Sequence, residues 1–321
     1  MSENELLLLD RYEVLGTLRR GPTSVMLLTY DRRLARRVVV ELVALPTNGF
    51  AVMLDAADRV VRQARMAATL THPNLSAVHE VYQSGATMMV ARDYESGRTL
   101  SQRLREEGPL SVDAALDVVR QVASGLAFAH AHGILHRALD PSQVVEGVDG
   151  RVKICNLGRS GGGASPPRCV APEVFTRHPV SEATDVWALG VLLYEALTGR
   201  PPFAGESADL CAHIVKDVPV RPRRVRGDIS PALENVILTC LEKEPSLRYP
   251  SVSAFLHSLE RARKSGAQRF DTPVIGRRPA SRRTLLGWVV VLVLLTAAAW
   301  MLSAVRVLQP QRDPAPRGAP H

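Results

Sequence analysis

Three quoted stretches decide the fold: His136-Arg137-Ala138-Leu139-Asp140-Pro141-Ser142-Gln143, then Ala171-Pro172-Glu173, then Asp185-Val186-Trp187-Ala188-Leu189-Gly190. They lie in the second of two halves with different patterning. Upstream, β-branched and apolar runs at 12–15, 25–28 and 37–43, punctuated by Gly21-Pro22 and Asp31-Arg32, read as strands and turns. Residues 54–70 carry a helical period with Val60, Val61, Ala64, Ala67 and Ala68 on one side, ended by His72-Pro73-Asn74. Short strands follow around 77–82 and 87–93. From Ser111 the period is helical: Val112, Leu116, Val119, Ala123, Leu126 and His130 recur at spacings of four and three, with Gly133 as the stop. Residues 186–198 and 233–241 read as buried helices. The expectation is an α+β chain with a strand-rich lobe, a junction near 94–97 and a helical lobe.

Composition narrows the function classes. The 321 residues are 46% hydrophobic, ample for a core, and carry a formal net charge of +8. No basic groove interleaved with aromatics accompanies that charge, so nucleic acid is not expected as a partner. Cys155, Cys169, Cys211 and Cys240 stand far apart, which argues against a zinc site or a disulfide framework and fits a reducing compartment. The leucine run 6–9 is flanked by Glu3, Glu5 and Asp10 without a basic stretch, so it reads as a segment packing on the first strand rather than a secretory signal.

The C-terminal end reads differently. Residues 264–283 are basic, with Arg277, Arg278, Arg282 and Arg283, and the 22 residues 284–305 carry no charge. At 1.5 Å per residue that run reaches about 33 Å, enough to cross a bilayer core. Trp288 and Trp300 lie toward its ends, and the preceding arginines place the main domain in the cytoplasm. The expected organisation is an N-terminal segment 1–10, a small lobe 11–95, a large lobe 96–263, a juxtamembrane linker 264–283, a transmembrane helix 284–305 and a Pro-rich outer tail 306–321.

Over about residues 11–262 the chain resembles the bacterial membrane-anchored, eukaryotic-like (Hanks-type) Ser/Thr protein kinases. Ala171-Pro172-Glu173 matches the motif after the activation segment, and Asp185 to Gly190 matches a family helix. Leu197-Thr198-Gly199-Arg200-Pro201-Pro202-Phe203 matches the segment after that helix, and Arg248 stands where the family pairs an arginine with the motif's Glu, here Glu173. The resemblance implies the two-lobed kinase fold, with His136 and Arg137 as packing residues of the loop.

The residues that carry phosphoryl transfer are missing. Ala138 replaces the catalytic Asp, and a methyl accepts no proton. Gln143 replaces a Mg²⁺-binding Asn, and Asn156-Leu157-Gly158 replaces Asp-Phe-Gly. On the third strand, Val38-Val39-Val40-Glu41 puts a carboxylate where a Lys grips the phosphates, a repulsion of about 4 kcal/mol per contact at 4 Å. No lysine precedes Lys153, and Val39 narrows the adenine pocket. Gln63 takes the position of the Glu that pairs that Lys; a Glu41–Gln63 hydrogen bond is the expected replacement. The glycine-rich loop keeps Gly21 alone, with Ser24 in a later position, and reads as a hairpin turn. The activation segment is short, and Pro166 stands for its Thr. Asp140 lies near the base position but two residues past it.

The implied function is a membrane-anchored pseudokinase that acts as a scaffold or allosteric regulator in signalling. Its expected partners are proteins: an active kinase, a phosphopeptide-binding protein or an envelope protein. The substitutions argue against a cofactor, ATP and Mg²⁺ included. The alternative is an atypical, weakly active Ser/Thr kinase-like enzyme, or a nucleotide sensor with a remodelled ATP pocket.

Overall fold

The computed structural model describes residues 10–45, 51–137, 139–157, 167–176, 178–205 and 207–270. The leucine run 6–9, Ala138, residues 158–166 and the apolar run 284–305 lie outside that set. Among the described residues no helix is long and apolar enough to cross a membrane.

The upstream runs form β1 (Tyr12–Arg20), β2 (Ser24–Asp31), β3 (Arg36–Ala44), β4 (Val78–Ser84) and β5 (Thr87–Asp93), with helix α1 (Ala51–Ala68) between β3 and β4. The strands make an antiparallel sheet in the order β1-β2-β3-β5-β4. Alternation along β3 sorts its side chains between two faces. Val38 and Val40 pack with Tyr12 and Ala91 in a small outer cluster. Val39 and Glu41 turn to the opposite face, where Val61, Ala64 and Ala67 of α1 join Met88 and Val90 in the main core. An acidic residue is therefore buried in the middle strand of the sheet.

The second lobe contains β6 (Gly97–Thr99), α2 (Leu100–Glu107), α3 (Val112–Ala131), β7 (Val144–Gly147), β8 (Val152–Ile154), α4 (Pro172–Phe175), α5 (Glu182–Thr198), α6 (Ser207–Lys216), α7 (Pro222–Val225), α8 (Pro231–Cys240) and α9 (Val252–Phe270). Ser111 starts α3, its hydroxyl oxygen accepting from the Ala114 amide at 3.2 Å. Helix α5 is buried on every side from Ala183 to Leu197, as a helix without a polar stripe must be. Gly190 permits the close crossing with α8: a Cβ there would stand 2.4 Å from the Cys240 Cβ.

The expected lobes and most expected elements are present, with their ends shifted by a few residues from the apolar runs, as in β1, which continues to Arg20, and α5, which starts at Glu182. The three-stranded sheet β6-β7-β8 is additional. Its strands have three or four residues, too few for alternation to register. The loop that follows α1 is clamped to this sheet. Asn74 Nδ2 donates to the Val152 carbonyl at 2.8 Å, while the Ser76 amide donates to Ile154 O at 2.9 Å and Ile154 N donates to Asn74 O at 2.9 Å.

Glu173 and Arg248 hold the lower half of the large lobe. Their bidentate pair is 2.9 and 2.8 Å long and is buried. Thr184 Oγ1 donates a third bond to the carboxylate at 2.8 Å, and Arg248 Nη1 also donates to the Ala183 carbonyl at 2.9 Å. Burial pushes the Glu173 carboxyl up, but Arg248 outweighs it and holds the group below its usual range. Removing one partner leaves a buried charge uncompensated. Arg248→Ala is expected to lower stability by about 3–5 kcal/mol, measured by urea denaturation of the purified chain.

Candidate functional site

Arg92 of β5 is the residue around which the cleft between the lobes is built. The β3–β5 register sets it directly across from Val39, so it projects from the same sheet face as Val39 and its second neighbour Glu41. Arg92 Nη2 donates to Glu41 Oε2 at 2.7 Å. Its Nη1 donates to Asn156 Oδ1 at 2.6 Å. Relative exposure is 4% for Arg92, 1% for Glu41 and 8% for Asn156, so all three are withdrawn from water. Asn156 adopts φ 66°, a left-handed conformation that Asn tolerates better than most residues.

Glu41 and Asn156, singled out from the sequence, thus meet through a residue that motif matching misses. The site retains one basic and one acidic group, but the base now comes from β5 and the acid from β3. Other basic groups are engaged elsewhere. Arg36 Nη1 donates to Asp93 Oδ1 at 3.1 Å on the outer face, and Lys153 Nζ pairs with Glu95 Oε1 at 3.0 Å. Gln63 lies half-buried on α1. Arg92 fixes the Glu41 carboxylate across the sheet.

The loop at 136–143 is anchored from below by Asp185. Its carboxylate accepts from the backbone amides of His136 at 2.8 Å and Arg137 at 2.6 Å, and from His130 Nε2 at 2.7 Å. His136 Nε2 lies 3.1 Å from the Cys155 carbonyl, which ties the loop to the residue before Asn156. Burial pushes the His136 imidazole below its ordinary value. His136, Arg137 and Asp185 therefore brace the loop, as the sequence suggests for the first two. Ala138 itself lies outside the described residues. Asp140 begins the turn at Pro141–Gln143, its Oδ1 accepting from Ser142 N at 2.7 Å. Gln143 is buried; its carbonyl accepts from Cys155 N at 2.8 Å, and its side-chain Oε1 has no hydrogen-bond partner among the described residues.

The β1–β2 connection is a hairpin turn closed by Gly21 N donating to Ser24 O at 2.8 Å. A Cβ at Gly21 would meet nothing closer than 3.6 Å. The glycine is therefore not required for space there, in contrast to a loop that must close over phosphates. Ala171 and Pro172 open α4, with Glu173 in its first turn.

The protein kinase domain profile matches residues 12–259. Serine/threonine-protein kinase PknA of Mycobacterium tuberculosis is 30% identical over 285 residues, covering 83% of this chain and 65% of that protein. Serine/threonine-protein kinase PknB of Mycolicibacterium smegmatis is 30% identical over 290 residues, 83% of this chain and 45% of that protein. The chain thus spans less than two thirds of the length of either relative. Among solved structures, a crystal structure of Rad53 1-466 in complex with AMP-PNP aligns with a TM-score of 0.67 at 24% identity, covering 78% of this chain and 65% of that one. At that identity the likeness concerns the fold.

Two expected outcomes follow from the site's electrostatics. Arg92→Ala strands the Glu41 carboxylate and is expected to cost about 3–5 kcal/mol in chemical denaturation, whereas Glu41→Met combined with Arg92→Met restores most of that loss. The second concerns His130, which burial pushes down but Asp185 and Glu182 more than offset, leaving its pKa raised. A raised folded-state value stabilises fully below the unfolded imidazole value, near 6.5, and the contribution is lost as pH rises through the folded value. Stability measured against pH is expected to fall over that window, and His130→Gln to flatten the fall.

Proposed function

This chain belongs to the protein kinase family, and from that premise we propose that it is a membrane-anchored pseudokinase, a scaffold or allosteric regulator in signalling without phosphoryl transfer. The observation that carries the proposal is the buried Glu41–Arg92–Asn156 contact. Phosphoryl transfer in this family rests on a cation at the β3 position and on carboxylate and amide oxygens that hold Mg²⁺. Here β3 presents a carboxylate. The only side-chain oxygen of Asn156 accepts a bond from Arg92, so a metal ion at that atom would stand beside a guanidinium. At an effective dielectric near 20, each like-charge contact at 4 Å costs about 4 kcal/mol, and a divalent ion doubles it. The residues present therefore do not fit Mg²⁺–ATP.

In this reading the kinase-like domain, with lobes 11–95 and 96–263, serves as a folded platform for a protein partner. An active kinase, a phosphopeptide-binding protein and an envelope protein are the candidate classes. The linker 264–283 and the span 284–305 anchor it to the cell membrane with the domain in the cytoplasm, and 306–321 ends outside. Alkaline extraction of membranes is expected to leave the chain in the pellet, and deletion of 284–305 to release it.

Restoring the base alone tests the catalytic half of the proposal. Ala138→Asp, incubated with labelled ATP, Mg²⁺ and a generic acceptor protein, is expected to transfer no phosphate above the unmodified chain. Phosphorylation by that single variant would show that the remaining site is competent and would sink the pseudokinase reading.

A further inference from the structure

The connection between α6 and α7 presents a surface that the proposed function leaves unused. In Lys216-Asp217-Val218-Pro219-Val220-Arg221-Pro222-Arg223-Arg224 the two prolines turn inward and the other side chains turn out. Pro219 and Pro222 are buried, whereas Val218 is 86% and Val220 51% exposed. Lys216, Arg221, Arg223 and Arg224 are exposed around them. Two aliphatic side chains are thus held in water at the centre of a ring of cations. The ring is pinned from one side. Arg226 Nη1 donates to the carbonyls of Leu110 and, at 3.1 Å, of Leu197, and Arg223 Nε donates to Ile229 O at 3.0 Å.

The acids beside the loop are engaged. Asp217 Oδ2 lies 2.5 Å from His213 Nδ1, Asp228 pairs with Arg226 at 2.7 Å, and the buried Glu234 lies 3.8 Å from Arg221. The position of the loop matters as well. Leu110, which Arg226 holds, directly precedes Ser111 at the start of α3. Asp113 and Leu116 of α3 border a groove with Leu259 and Arg263 of α9, the helix from which the chain continues into the basic linker. The loop and α9 therefore both flank the first turns of α3. We propose that residues 216–224 dock on an anionic lipid surface, with Val218 and Val220 in the headgroup layer and Lys216, Arg221, Arg223 and Arg224 on the lipid phosphates. The inference rests on the membrane-anchored reading to bring a bilayer near, and goes beyond it in naming the face of the large lobe that meets the lipid. A nucleic acid would match the cations and leave the valines in water; a headgroup layer matches both. Each basic residue near an anionic leaflet strengthens association about fivefold, so three contribute about a hundredfold.

Methyl resonances of the full chain in lipid nanodiscs test the proposal, with a gadolinium chelate on a headgroup lipid as the relaxation probe. In discs of equal parts phosphatidylglycerol and phosphatidylcholine, the Val218 and Val220 methyls are expected to broaden at least about fivefold more than those of Val14, an exposed residue on β1 of the small lobe. The excess is expected to vanish in pure phosphatidylcholine discs. It is expected to vanish also in Lys216→Glu/Arg221→Glu/Arg224→Glu, where an unshifted methyl of the buried Val119 reports retained folding. Equal broadening at Val218 and Val14, or an excess indifferent to lipid charge and to the variant, overturns the proposal. No excess with lipid, together with shifts of these methyls on adding an acidic peptide or RNA, assigns the loop to that partner and also overturns it. Co-elution of the chain with neutral discs reads the anchor separately. A chain that does not enter them refutes the anchor; the loop is then read after mixing the chain with preformed anionic discs, where the same excess is expected and its absence overturns the inference.

Discussion

A buried guanidinium that must be neutralised is the constraint on which the cleft depends. Arg92 projects from a central strand into a space without water, so its charge requires an acid within hydrogen-bond reach. Glu41 meets that requirement from the neighbouring strand and Asn156 adds an uncharged acceptor from the other lobe. The same two contacts engage the positions at which this family carries a cation on β3 and an oxygen that holds a metal. In the proposed reading, the substitutions at 41 and 156 are therefore parts of one electrostatic arrangement. A buried pair of this kind is weak as a source of stability, since desolvation offsets most of its attraction. Its consequence lies in what it excludes and in joining β5 to the residue after Cys155.

The large lobe is organised by two buried carboxylates. Asp185 gathers two backbone amides of the loop and His130, and Glu173 gathers Arg248 and Thr184. Neither carboxylate needs nucleotide or metal for these bonds. Aromatic packing supports the second. Trp187 stacks on Phe203 with centroids 5.7 Å apart, and Arg248 lies 5.0 Å from the Trp187 ring centre. Lys243 lies 4.0 Å over the Phe203 ring, and burial lowers its ammonium to about 8. A rigid large lobe is thus compatible with a changed cleft, because the two are held by different charges.

How much of this was legible in the sequence depends on the kind of signal. The β-branched, apolar run of β3 and the four-three period of α3 locate those elements, because a strand buried on both faces and a helix with one buried face impose those patterns. The pairing of Glu173 with Arg248 was legible only through the resemblance to the kinase family. The strands β6 to β8 were not, being too short to carry a period. Arg92 was passed over for a different reason. In Met88-Met89-Val90-Ala91-Arg92-Asp93 it looks like the solvated end of a strand, next to an acid. Only the register, which sets it opposite Val39 and beside Glu41, shows that it points inward. A signal did exist: an acid at position 41, inside an otherwise apolar strand, calls for a buried base.

The central claim, that Arg92 and Glu41 leave no place for Mg²⁺–ATP, is tested most directly by calorimetry. ATP with excess Mg²⁺ is titrated into the purified, unmodified chain. The account predicts no saturable heat up to about millimolar nucleotide. Saturable binding at micromolar ATP, abolished by Asn156→Ala, would contradict it.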